Sequence, residues 1–125
     1  MTPLFFAFLA LAGGVGATMR ILLDGAIRSR VRGWYPLGTT VVNASGSLLL
    51  GFVTALALAS IVSTEWQLIL GTGFLGGYTT FSTASFETVR LLQKRRYAAG
   101  LANGLGMLVV CAGFALLGLW LGSLL

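Results

Sequence analysis

The chain has 125 residues, 57% hydrophobic and 9% charged, with mean hydropathy +0.94 and a formal charge of +5. A soluble domain carries roughly 25% charged residues, so this chain lacks the charge to cover a water-facing surface, and a bilayer is its natural solvent. With no histidine and one cysteine, Cys111, it has no internal disulfide, no zinc site of the usual Cys/His kind and no histidine proton shuttle. The basic residues sit in two short clusters between apolar runs, which reads as membrane topology and not as nucleic-acid binding.

A membrane helix needs about 20 mostly apolar residues. Four segments qualify within a single domain, at about residues 3–23, 37–62, 66–92 and 97–124. The first has no basic n-region and is followed by three more spans, so it reads as a span and not as a signal peptide. Arg20 and Asp24 near its end are four apart. Either they pair along the helix, or Arg20 lends positive potential to an anion vestibule. In the second span, with Pro36 suited to its first turn, Thr40, Asn43, Ser47, Gly51 and Thr54 form one helical stripe. Asn43 in mid-span must face protein or water.

The third span contains GTGFLGGYTTFSTASFETVR, residues 71–90. Gly71, Gly73 and Gly76 spell a dinucleotide fingerprint, but the strand and βαβ unit that give it meaning are missing. Gly76-Gly77 followed by Tyr78-Thr79-Thr80 instead predicts a broken helix. A break frees carbonyls suited to a cation and N–H groups suited to an anion; the bland alternative is a packing kink. Five hydroxyl residues follow closely: Thr79, Thr80, Ser82, Thr83 and Ser85. Glu87 and Arg90 are expected to pair at the helix end. On the fourth span, Asn103 and Cys111 lie near one face. Polar stripes on three helices read either as interhelical glue or as a pore lined by neutral donors.

Gly73-x-x-x-Gly77 and Gly100-x-x-x-Gly104 permit close helix approach. Trp34, Tyr35, Trp66, Tyr97 and Trp120 lie near span ends, as belt aromatics do. Arg28, Arg30 and Arg32 follow span one, and Arg90, Lys94, Arg95 and Arg96 follow span three. Both loops fall on one side, and the positive-inside rule puts both termini outside.

Three stretches resemble the CrcB/Fluc family of small fluoride channels. GGVGATMR (residues 13–20) is similar to its glycine-rich first helix, TTVVNASGSLLLG (39–51) to its asparagine signature, and GFLGGYTTFST (73–83) to its broken third helix. The third is specific, and the three occur in the family's order. The resemblance implies an all-α membrane protein of four transmembrane helices, broken in the third, assembling as an antiparallel dimer with two pores. It implies passive export of cytoplasmic fluoride across a bacterial inner or plasma membrane. It further implies a central structural sodium ion held by backbone carbonyls, here those of Gly76 and Thr79. Asn43 matches the pore asparagine, Phe81 the first pore phenylalanine, and Ser82 and Thr83 the hydroxyls beside it. Asn103 falls where the family offers a small hydroxyl residue, and Arg20 ends the first motif. The chemistry suits a small, strongly hydrated anion: amide and hydroxyl donors and aromatic edges replace its water without trapping it.

Two features depart from the family pattern. Ala84 stands where a second phenylalanine is usual, and Phe86 is about 200° around the helix from it. The basic residues are also one-sided, whereas an antiparallel homodimer asks one chain to insert both ways. The partner is therefore either a second copy or an oppositely oriented paralogue, within membrane lipid and without nucleic acid. Other readings are a small multidrug exporter, which requires a mid-membrane carboxylate, and a non-conducting partner subunit of a heteromeric channel. Asp24, Glu65 and Glu87 all lie near span ends, and no nucleophile–base pair points to an enzyme.

Overall fold

The computed structural model describes residues 2–31 and 36–125; Arg32, Trp34 and Tyr35 lie outside the described residues. Helix α1 (Pro3–Arg30) starts under an N-cap, the Thr2 side chain accepting from the Phe5 N–H, with Pro3 at the first helical position. Its 28 residues reach about 42 Å, longer than a hydrocarbon core of about 30 Å. The helix therefore runs past Leu23, where the apolar run ends, and its last turn carries Arg28 and Arg30.

Helix α2 (Leu37–Leu58) ends four residues before Val62. Ser60 takes φ 61°, and the Ser60 and Ile61 N–H groups close back on the carbonyls of Ala57 and Leu56. The third span, expected to be broken, is made in pieces. Helix α3 (Thr64–Gln67), capped by the Ser63 hydroxyl, opens into a π-helical stretch (Leu68–Leu75) and then α4 (Gly76–Tyr78). After Thr79 and Thr80 comes α5 (Phe81–Gln93), and α6 (Tyr97–Ser123) completes the fold. α1, α2 and α6 are each long and apolar enough to cross a membrane. The molecule is all-α, with no strand among the described residues.

The helix breaks within the expected segment, residues 76–80, but at its threonines and not at its glycines. Both glycines are helical, and the chain extends only at Thr79 (ψ 158°) and Thr80 (φ −147°). Gly77 is needed for packing: a Cβ there would run into the Gly13 carbonyl oxygen. Likewise a Cβ on Gly16 would strike the Phe74 carbonyl. α1 and the first half of the third helix thus lie side by side and parallel. α2 and α6 form a second parallel pair, with Gly51 against the Ala115 backbone, Gly118 against Leu48 and Gly122 against Phe52. Gly100 and Gly104 face Leu92 and Thr88 on α5, so both small-residue motifs sit at helix contacts. The small core between the pairs is Val42, Leu75 and Tyr78, with Leu23 and Phe74 against it.

Candidate functional site

β-branched Thr79 and Thr80 are poor helix formers, and the fold supplies what the break then lacks. In an unbroken helix the Thr80 N–H would meet the Gly76 carbonyl. Here it donates to Asn43 Oδ1 at 2.8 Å, while Asn43 Nδ2 donates to the Thr80 carbonyl at 2.9 Å. One buried amide on α2 therefore takes both backbone groups of the extended residue, and Gly76 loses its usual donor. The Thr80 hydroxyl accepts from the Thr83 N–H at 3.1 Å, capping α5. On the other side of the break, Tyr78 Oη and Ser45 Oγ are 3.0 Å apart, and the Tyr78 ring stacks on Phe74. Arg20 Nε donates to the Gly77 carbonyl at 3.3 Å, near the C-terminal end of α4 where negative partial charge gathers.

Two cavities meet at this break. The larger, about 530 Å³, is a groove between α2, the broken helix and α6; Asn43, Ser47, Thr79, Thr80, Phe81 and Ala84 are among the residues lining it. Phe81 opens α5 with 86% of its surface exposed. The smaller, about 330 Å³, lies toward the basic loops, with Arg20, Asp24, Arg28, Thr39, Thr80 and Thr83 among its lining. Thr80 borders both.

The expected site residues are thus distributed, not gathered at one point. Asn43, Phe81, Gly76 and Thr79 border the groove, and Arg20 and Thr83 border the second cavity. Ser82 is exposed and lines neither. Asn103 is fully buried between α5 and α6, donating to the Ala84 carbonyl at 3.3 Å and to the Thr88 hydroxyl at 2.8 Å; its own carbonyl oxygen is buried without a partner. The α2 stripe also splits: Asn43 and Ser47 face the groove, while Gly51 packs on α6.

The pairing alternative for Arg20 and Asp24 does not form, and the expected Glu87–Arg90 pair is re-partnered. Asp24 pairs with Arg28 at 3.1 Å, and Arg20 turns instead to the break. Glu87 pairs with Arg28 at 3.4 Å across to α1, not with Arg90. These pairings follow from the length of α1, which brings Arg28 over both carboxylates. Sequence reasoning named Thr80 and Tyr78 in the break without their partners, and passed over Thr39 and Ser45. Thr80 left one readable signal, a threonine immediately ahead of a helix start, where N-caps sit. Thr39, only 2% exposed, left none.

Residues 7–119 match the family described as CrcB-like protein, Camphor Resistance (CrcB). The chain is 58% identical over 99% of its length to the fluoride-specific ion channel FluC 1 of Leifsonia xyli subsp. xyli, covering 90% of that protein. It is 49% identical to FluC 2 of Cutibacterium acnes, covering 93% of this chain and 95% of the relative. With the fluoride-specific ion channel FluC of Solibacter usitatus it shares 42% identity over 96% of each. With these relatives along its whole length and apolar helices built to span a bilayer, the chain is a multi-pass integral membrane protein that belongs to the CrcB family.

Proposed function

We propose that the chain is a subunit of a fluoride-selective channel that lets cytoplasmic fluoride leave passively. Its relatives bear the name of fluoride-specific channels, and a channel subunit, not an enzyme, is the activity their family implies. The observation that carries the reading is the stitched break. It sets the N-terminus of α5, with Phe81 and the hydroxyls of Thr79, Thr80 and Ser85, at the edge of an open groove. N–H groups at a helix start favour an anion, and the Phe81 ring presents a positive edge. The groove is open on one side, so a second subunit completes the pathway in this reading, as an antiparallel dimer. Ion movement then passes neutral donors along the groove, and Arg20 with Thr83 on the basic side adds positive potential and a hydroxyl at the mouth.

The break also suits a structural sodium ion. Gly76 has lost its helical donor to Asn43, Thr79 is extended, and both border the groove. Their carbonyls are hard oxygen donors of the kind a sodium ion takes, and no acidic or Cys/His metal cluster competes among the described residues. In this reading they hold the ion, which offsets the negative end of the half-helix.

A non-conducting role beside a related partner has one observation behind it: Ala84, with no ring, lines the groove next to Phe81. The deciding experiment is ion efflux from liposomes holding only this purified chain, with sodium present and chloride as control. Fast, fluoride-selective efflux is the expected result. Silence from a well-folded dimer would mean an obligate partner subunit or a role other than conduction.

A further inference from the structure

The last turn of α5 and the link to α6 carry Arg90, Lys94, Arg95 and Arg96, all exposed. The backbone of this turn closes as a Schellman motif, the Arg96 N–H on the Leu91 carbonyl (2.9 Å) and the Arg95 N–H on the Leu92 carbonyl (3.0 Å). That closure holds Arg95 at φ 58°, the left-handed position that glycine fills without strain. An arginine here contradicts its local conformation, and such conflicts persist where another interaction compensates. The helix dipole accounts for Arg90 in the last turn of α5, but Arg95 lies beyond the helix end. The acids of this chain are placed elsewhere: Asp24 and Glu87 hold Arg28, and Glu65 lies in α3 at the opposite end of the bundle.

The turn leads directly into α6, a helix long and apolar enough to cross a membrane. α6 leaves it with Tyr97 59%, Leu101 58% and Leu105 63% exposed, an apolar face that descends into the bilayer. A basic turn immediately before a membrane-crossing helix falls at headgroup depth when that helix spans the bilayer. We propose that this turn binds the phosphate headgroups of anionic phospholipids in the leaflet it faces, with Arg95 held in a strained backbone so that its guanidinium joins Arg90 and Lys94. This holds whichever ion the protein carries. Basic clusters immediately beside a membrane helix attract anionic lipid and are weakened by salt.

The test uses the full chain in a neutral detergent, with phosphatidylglycerol or phosphatidylcholine added and the melting midpoint read. Phosphatidylglycerol should raise the midpoint well above phosphatidylcholine, and high salt should erase the difference. In the double variant Lys94→Gln/Arg95→Gly the two lipids should act alike. Its midpoint without lipid should be no lower than that of the natural chain, because glycine relieves the left-handed residue. Native mass spectrometry of the natural chain, independent of any variant, should retain phosphatidylglycerol in preference to phosphatidylcholine. Equal effects of the two lipids on the natural chain would overturn the proposal. So would an undiminished phosphatidylglycerol gain in the variant, or full reproduction of the gain by inorganic phosphate alone.

Discussion

Asn43 commits both ends of its amide to one residue, and this separates two roles that a pore asparagine can have. Replacing it by isoleucine strips the Thr80 N–H and carbonyl of their partners at once. Losing such hydrogen bonds in a part-buried site costs about 2 kcal/mol or more. Asn43→Ile should therefore lower stability by that amount as well as abolish fluoride efflux, read by thermal denaturation and liposome flux on the same preparation. Phe81→Ile removes a ring that is 86% exposed and supports nothing inside the chain. It should abolish efflux and leave the unfolding midpoint of the chain nearly unchanged. Fluoride flux that survives both substitutions in assembled protein would remove the groove from the ion path. At this scale the sequence was informative about residue types and silent about partners. Nothing in the spacing of Asn43 and Thr80, 37 positions apart, announces that one will hold the other. Asn103 was legible as a polar residue in a greasy helix, yet its amide turned out to hold α5.

The break in the third helix belongs to the scale of elements, and two glycines separate its cause from its packing. A Cβ on Gly77 would enter the Gly13 carbonyl, whereas on Gly76 its nearest neighbour would be the Gly71 carbonyl at 3.8 Å. Gly77→Val should push α1 away from α4 and cost about 3 kcal/mol or more, as overpacking of a tight contact does. Gly76→Ala should fold normally. Detergent-solubilised melting curves of the two variants check this directly, and equal damage from both would return the break to the glycine pair. The half-helix end also carries the sodium proposal. Exchanging sodium for a large organic cation should lower the melting midpoint, because an ion that binds only the folded state stabilises it by mass action. A midpoint indifferent to sodium over a wide concentration range would remove the ion from Gly76 and Thr79.

For the whole molecule, the two parallel helix pairs leave much apolar surface uncovered. Phe6, Leu11, Leu22, Leu58, Val109 and Leu116 are among the residues more than half exposed. Bilayer accounts for most of that surface, and in our reading a second subunit accounts for the groove. The basic ends of α1 and α5 lie together, since Arg28 of α1 reaches Glu87 of α5. With no Lys or Arg in the other loop or at the termini, the positive-inside rule predicts a single insertion direction. Single cysteines placed at positions 30 and 95, in a Cys111→Ser background, should label from the cytoplasmic side alone in intact cells. An antiparallel complex would then require an oppositely oriented relative. Equal labelling from both sides would instead support a homodimer of one chain inserted both ways.

The sequence by itself determined the solvent, the number of apolar segments, the ends on which charge collects and the neighbourhood of the break. Each of these depends on composition and local periodicity, which burial in lipid reads directly. The tertiary structure decided where the third helix opens, which glycines are there for contact and which cation each carboxylate meets. Those outcomes depend on residues distant in sequence: Gly13 beside Gly77, Asn43 beside Thr80, Arg28 beside Glu87. A helix break costs unpaired backbone groups in lipid, so it settles at the residue for which another helix supplies the missing partners.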